Sequence, residues 1–204
     1  MKRSEGKAQV KFKALSAPIT ATLKERGFSQ KGTSYFLPRS DNWEVLGIQK
    51  SRRSTADEIT FTINLGVCSR KLLEYFSPGR PQKVSIETSH WRIRIGRLLP
   101  ERQDKWWVLS ANQPLEPLLS ELKNCISMYA IPELENHITD EQLCQNWLAG
   151  NSPGLTEIQR LMNLSVLLEA KGDLTNLQEI LKELKIKSEG TPGAAAVSAH
   201  LNRF

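Results

Sequence analysis

One eleven-residue stretch constrains the fold more than any other part of the sequence. Between Glu58 and Cys68, apolar and polar positions alternate without interruption. The apolar set is Ile59, Phe61, Ile63, Leu65 and Val67, and the opposing set is Thr60, Thr62, Asn64 and Gly66. Because successive side chains of a strand point to opposite faces, this period of two predicts a strand with one dry and one polar face. Such a strand is typical of an antiparallel sheet that is packed on one side.

Neighbouring segments carry β-type patterns that complete the predicted sheet. Thr33–Leu37 and Trp43–Ser51 are β-prone runs on either side of a cluster of turn-forming residues, which predicts a hairpin. Another strand is predicted where two sets of residues alternate, namely Trp91, Ile93 and Ile95 against Arg92, Arg94 and Gly96. Lys105–Leu109 is predicted to be the last strand. The sequence therefore predicts four or five antiparallel strands.

Helical spacing governs both ends of the chain. Before the sheet, Gly27 follows four apolar residues at helical spacing, which are Phe12, Leu15, Ile19 and Leu23. They predict an N-terminal helix that covers the dry face and ends near Gly27. From Leu115 onward the apolar spacing is helical again, with a predicted αα-hairpin around Gly172. The predicted fold class is α+β: an antiparallel sheet of four or five strands packed by an N-terminal helix and followed by a C-terminal helical extension.

These patterns divide the chain into three predicted parts. Residues 1–137 form the α+β domain, and residues 138–187 form a C-terminal helical annex built on the αα-hairpin. Helix starts in the annex are indicated by Thr139, which precedes Gln142 as in a capping box, and by Thr156 and Asp173. Residues 188–204 are small and polar, and we expect a disordered tail there.

The net charge of +6 conceals an uneven distribution. Residues 1–110 contain 21 Lys and Arg against 10 Asp and Glu, a net charge of +11, whereas residues 111–204 carry −5. A basic half attracts nucleic acid, an acidic protein or an anionic metabolite. Alternatively, the two halves dock and partly neutralise each other. The three cysteines lack disulfide or zinc spacing, and no apolar run approaches the about 20 residues of a spanning helix, so a cytoplasmic protein without a membrane partner is expected.

Motifs of enzyme chemistry are sparse. His90 is the only histidine within the predicted sheet, and no nucleophile turn of the GxSxG type accompanies it. His137 lies near Glu133, Glu135 and Asp140 without the paired spacing of a zinc site. Single glycines in strands, at Gly66 and Gly96, indicate close backbone approach and not a phosphate cradle. The sequence therefore predicts no catalytic residue, no metal ligand and no cofactor, and it leans against an enzyme without deciding the matter.

The polar face of the sheet is the candidate binding site. If the strands around Thr62 and Arg92 belong to one sheet, five polar side chains share that face: Thr62, Asn64, His90, Arg92 and Arg94. Arginine forks match carboxylate and phosphate oxygens, which favours an anionic guest. Trp106 and Trp107 are adjacent and point to opposite faces, and Trp106 is taken as the one that could stack a base or hold a protein partner. The alternative is a plain solvated face.

Several short phrases resemble a known family when they are taken in order. They are ERGFSQKGTSYF, IQKSRRST, FTINLGV, HWRIRIGRLLP and KWWVL. From about Lys11 to Leu134 the chain resembles the bacterial family known as domain of unknown function DUF4304, with a looser likeness through the C-terminal helices. The resemblance implies an α+β fold and a bacterial origin, and it carries over no catalytic residue.

Taken together, these features predict a non-catalytic binding or interaction module. Its partner would be an acidic protein or another anionic molecule held on the basic polar face. Sequence-independent nucleic-acid binding is one alternative, and an enzyme that acts on an anionic substrate is another. The oligomeric state is left open.

Overall fold

The alternating segment is the central strand of the sheet in the computed structural model, which describes residues 6–204. Strand β4 (Glu58–Ser69) pairs with β3 (Asn42–Lys50) over the whole length of β3. The other edge of β4 pairs with β5 (Trp91–Arg94) and β6 (Trp107–Ser110) at different heights. Beyond β3 lie β2 (Ser34–Pro38) and β1 (Ser29–Lys31). Every pairing is antiparallel, which confirms the fold class; the short edge strand β1 brings the sheet to six strands.

Helix α1 (Lys7–Glu25) and the C-terminal helices bury the dry face of this sheet. The five alternating apolar side chains of β4 are at most 2 % exposed, and the four predicted core residues of α1 at most 3 %. The Phe12 ring meets the Phe61 ring edge-on, with centroids 5.3 Å apart. Gly27 has a φ of 92°, a left-handed conformation that ends the helix as predicted. Each fully buried side chain of this kind contributes about 1.5–3 kcal/mol to stability.

The remaining helices are α2 (Arg70–Phe76), α3 (Glu116–Cys125), α4 (Ile131–Glu135), α5 (Asp140–Leu148), α6 (Glu157–Lys171), α7 (Leu174–Ser188) and α8 (Ala194–Leu201). Helices α3 to α7 lie in the region where the sequence predicted helical structure, whereas α2 and α8 were not predicted. Capping boxes at Thr139 and Thr156 start α5 and α6, and Asp173 caps α7. Gly172, with a φ of 77°, ends α6, so that α6 and α7 pack together as the predicted hairpin. A 3₁₀ turn, Ile95–Arg97, stands where the sequence predicted the end of a strand.

The expectation of a disordered tail over residues 188–204 is corrected by α8. Its side chains Val197 and His200 are 1 % and 4 % exposed. Both ring nitrogens of His200 are hydrogen-bonded: Nδ1 lies 3.1 Å from the Tyr75 hydroxyl, and Nε2 lies 2.8 Å from the Ser165 hydroxyl. These tertiary contacts order a segment whose composition alone indicates disorder. The domain division at residue 137 stays a prediction.

Candidate functional site

The polar face of the sheet is partly covered by residues 77–90, the connection between α2 and β5. In this connection Ile86 packs over Gly47 and Ser89 packs over Gly66. A Cβ atom added at Gly66 would lie 2.7 Å from the Ser89 Cβ atom. The two glycines therefore let a second layer of chain approach the sheet, and only part of the predicted face is open.

Three of the six predicted site residues meet on the open part of this face. Asn64 donates an amide hydrogen bond to Gln49 at 2.8 Å. The Arg94 guanidinium donates to Asp104 at 2.6 Å and lies 5.1 Å from the Trp106 ring centroid. The Trp106 ring nitrogen donates to the same Asp104 carboxylate at 3.0 Å. Because Arg94 and Trp106 donate hydrogen bonds to the Asp104 carboxylate, its pKa is held below the ordinary value. Arg94 and Trp106 thus already have a hydrogen-bond acceptor within the protein.

Thr62 and Trp107 are internal supports of this face. Thr62 is fully buried and donates its hydroxyl to the Lys105 carbonyl at 2.8 Å, so it fixes the chain that leads to Trp106. Trp107 points to the dry side, where it is 3 % exposed and stacks on Phe61 at 5.9 Å. The prediction that the two tryptophans face opposite sides is confirmed, and Trp106 is the one on the polar side.

His90 lies beside the open part of this face, and Arg92 borders two regions: it lines a small hollow with Asn64 and Arg94, and a separate cleft with His90. The backbone N–H of His90 still donates to the Val67 carbonyl at 2.9 Å, and His90 shares the polar side with Arg92. It is only 9 % exposed, so it is buried beside the polar face and is not part of its open surface. Together with Arg92 it lines a cleft of about 260 Å³ between the sheet and α6. The opposite wall of this His90 cleft includes Gln159 and Asn163.

The ionisation state of His90 follows from its surroundings. Its Nδ1 accepts a hydrogen bond from the Ser69 backbone N–H at 3.1 Å, so the neutral ring carries its proton on Nε2. Burial, and secondly the charge of Arg92, lower the pKa of His90 to about 4. His90 is therefore neutral at pH 7 and presents Nε2–H as a donor. A general base at Nε2 would need that nitrogen unprotonated, so the geometry opposes such a role.

Asn163 is the principal site residue that the sequence analysis missed. It is 6 % exposed, and its side-chain amide has no hydrogen-bond partner among residues 6–204. Neither that amide nor the His90 Nε2 is among the fully enclosed polar atoms without a partner, so both reach the cleft. A signal was available, because Asn163 interrupts a nearly continuous apolar run in α6, from Leu161 to Leu168. Polar residues in such a run are buried and need partners.

Arg92 supplies positive charge to the same cleft. One guanidinium nitrogen donates to the Glu87 backbone carbonyl at 2.8 Å. Within the described part of the chain Arg92 makes no salt bridge, unlike Arg94. Its backbone N–H donates to the Pro153 carbonyl, and a Cβ atom added at Gly154 would lie 2.7 Å from the Arg92 carbonyl oxygen. The turn before α6 thus packs directly on Arg92 and closes that end of the cleft.

A larger and more open cleft, of about 870 Å³, lies between α2, α5 and α6. Its two cations, Arg70 and Lys71, stand among five acidic residues, and Lys71 lies 3.8 Å from Asp140. No nine-tenths-buried polar side chain lines it. The smaller His90 cleft is the stronger candidate because its two buried polar side chains carry donors that no described residue uses, and such groups orient a specific ligand.

Thiol and metal chemistry have no basis in the described residues. Burial raises the pKa of Cys68, Cys125 and Cys144, the last to about 11, so these thiols are protonated at neutral pH. Residues 6–204 contain no cluster of three or more potential metal ligands. His137 stacks on Trp91 with a centroid distance of 4.2 Å and lies beside the Glu133 carbonyl.

Replacing Gly66 by alanine is expected to lower the free energy of unfolding by about 1–3 kcal/mol, as overpacking does. The new methyl group would displace Ser89 and with it the neighbouring His90. Urea unfolding measures the loss, and NMR of the His90 ring reports the displacement. Gly193→Ala is the matched control, because its nearest atom would be 3.9 Å away and its φ is −88°. Equal midpoints for the two variants would contradict the close packing at Gly66.

Comparison with known proteins identifies a family whose description names no activity. The family model described as Domain of unknown function (DUF4304) matches residues 19–136, more than half of the chain. No curated protein and no solved structure matches the chain significantly. Among residues 6–204 no helix has both the length and the hydropathy needed to cross a membrane. The match covers His90 and Arg92 and leaves Asn163 outside it.

Proposed function

The chain belongs to the family described as Domain of unknown function (DUF4304), and we propose that it is a cytoplasmic, non-catalytic binding module for a small ligand held in the His90 cleft. The sequence also predicted a binding module, but the proposed site coincides only in part with the predicted site on the polar sheet face. His90 and Arg92 belong to the predicted set, and Asn163 joins them in the cleft, while Arg92 also borders Asn64 and Arg94. The free, buried thiols are in keeping with a reducing cytoplasm.

One observation carries the proposal: two polar side chains that are at least nine-tenths buried, His90 and Asn163, line one cleft with donors that no described residue uses. Neither donor atom is fully enclosed, so water can reach both, and a ligand oxygen can replace water as their hydrogen-bond partner. The open sheet face gives weaker support for binding, since Arg94 and Trp106 already share Asp104.

The protonation of His90 favours binding over catalysis. With Nδ1 occupied by the Ser69 N–H and the proton on Nε2, the ring donates a hydrogen bond and does not abstract a proton. The three thiols are protonated at neutral pH and are equally unsuited to nucleophilic attack. A neutral donor that lines a cleft can orient an oxygen of a ligand.

Replacing Asn163 by leucine tests the proposal. We expect the free energy of unfolding to stay within about 0.5 kcal/mol of the wild-type value or to rise, because an apolar group of similar size removes unpaired polar atoms. Ligand-detected NMR with a mixture of small acids, amides and amines is the second measurement. Wild type should bind at least one class, and Asn163→Leu should bind it about tenfold more weakly or worse.

The matched control is Asn136→Leu, an exposed asparagine in the turn between α4 and α5. This variant should bind the fragments as wild type does. Failure of wild type to bind any fragment, or unchanged binding by Asn163→Leu, would overturn the proposal. Retention of nucleic acid by the purified protein, with steep salt dependence, would instead support the nucleic-acid alternative.

A further inference from the structure

We infer that the ligand of the His90 cleft is a small molecule with a carboxylate-type oxyanion beside an apolar group. This inference rests on the proposed function and adds the chemical class of the ligand. Three properties of the cleft support it: a guanidinium that makes no salt bridge with a described residue, buried hydrogen-bond donors, and an apolar wall.

The charge of the cleft comes from Arg92. Among the described residues this guanidinium has no carboxylate partner, whereas Arg39, Arg94 and Arg160 each have one. Glu87 also lines the cleft, but it is exposed, and its pKa is lowered chiefly by the Ser85 hydroxyl and least by the charge of Arg92. An incoming anion would therefore be the first carboxylate in salt-bridge contact with Arg92 among the described residues.

The N-terminal end of α6 adds to this preference. Leu155 and Gln159, on either side of the cap residue Thr156, line the cleft. The N-terminus of a fifteen-residue helix carries partial positive charge and favours anions. Glu157 in the first turn is already paired with Arg160 and Lys187, both at 2.7 Å. Its charge is thus balanced outside the cleft.

The buried polar groups are matched to acceptor oxygens. His90 offers Nε2–H, and Asn163 offers its amide N–H groups. An ionised carboxylate is a pure acceptor with two oxygens, so it can satisfy both donors and still face Arg92. An amine ligand would instead place a cation beside Arg92 and leave the His90 donor unused.

Apolar side chains form the rest of the wall. Phe76, Leu155 and Met162 line the cleft together with the polar groups. The Phe76 ring stacks against the buried His200 ring at 6.2 Å, so its position is fixed from behind by α8. The cleft volume of about 260 Å³ is below the 300–1,000 Å³ that is usual for drug-sized ligands. A single ring or short alkyl chain beside the carboxylate fits such a space.

The test compares three probes with the full chain at pH 7, using NMR of the Asn163 side-chain amide and the His90 ring. Phenylacetate carries both a carboxylate and a ring, phenylacetamide is its neutral analogue, and inorganic phosphate lacks an apolar part. We expect phenylacetate to bind about tenfold more tightly than either of the others, because hydrogen bonds to charged groups are the stronger ones. This comparison on wild type needs no variant.

Two variants locate the charge. Arg92→Gln should abolish the preference for phenylacetate over phenylacetamide, and Arg94→Gln, whose charge is paired with Asp104, should keep it. Equal affinity of wild type for the acid and the amide would overturn the oxyanion inference and leave small-ligand binding intact. Tighter binding of phosphate than of phenylacetate would overturn the inference that the ligand carries an apolar group beside its oxyanion. If no probe shifts the NMR signals of His90 or Asn163, the inference about the ligand class fails. Binding of the fragment mixture then decides separately whether the proposed function fails as well.

Discussion

Acidification from about pH 7 to about pH 5 is expected to lower the free energy of unfolding by about 2 kcal/mol for each of His90 and His200. Both are buried, and burial, with Arg92 or Arg203 as the second cause, lowers the pKa of each from 6.5 to about 4. Between these values the unfolded chain binds more protons than the folded one. The stabilisation is complete above pH 6.5 and is lost as the pH falls toward 4.

Urea unfolding at a series of pH values measures this effect, and the chosen window lies above the ordinary titration range of carboxyl groups. The single variants His90→Gln and His200→Gln should each remove about half of the pH dependence. Titration of the histidine ring protons by NMR is the independent measurement. Midpoints near 6.5 for both rings would contradict the prediction, whatever the unfolding curves show.

Replacing Trp91 by alanine is expected to lower the free energy of unfolding by about 3–5 kcal/mol, as for other buried aromatic residues. Trp91 is 1 % exposed, stands opposite Val67 in the sheet and stacks on His137. Its ring nitrogen is buried and has no partner among the described residues. Trp91→Phe should therefore cost only about 1 kcal/mol, because losing the unpaired donor offsets part of the lost contact.

The control for this prediction is Trp106→Ala. Trp106 is partly exposed on the polar side, so its removal should cost less than about 1 kcal/mol. Guanidinium unfolding of the three variants gives the comparison. If Trp106→Ala lowered the free energy of unfolding as much as Trp91→Ala does, the open sheet face would be a structural interface within the chain.

The two faces of the sheet could be predicted because they depend on local periodicity. Alternation in Glu58–Cys68 predicted which side chains face the dry side, and the same argument assigned Trp106 and Trp107 to opposite sides. The helix starts at Thr139 and Thr156 could be predicted for the same reason, because a capping box joins residues only three positions apart. Helix α2 carries a local signal of the same kind, because the Ser69 side chain caps it by accepting a hydrogen bond from the Leu72 N–H.

The candidate site could be predicted only in part, because its contacts join distant segments. Arg94 is neutralised by Asp104, a residue of a loop whose position no periodicity reveals. His90 immediately precedes β5, and its position in a cleft beside α6 depends on contacts that the alternation of the strand does not reveal. Glu44 lies on the dry face, fully buried and bonded to Arg39 at 2.8 Å, although charged residues are expected on the polar side. Tertiary packing decides each of these positions.

The His90 cleft is divided between two parts of the chain. His90 and Arg92 come from the segment that matches the family, residues 19–136, whereas Leu155, Met162 and Asn163 come from α6 and the turn before it. One wall can therefore change its side chains without any change in the sheet that carries the charge. In such an arrangement the sheet sets the class of ligand and the helical segment sets its size and shape, so selectivity can be altered by exchanging the C-terminal helices alone.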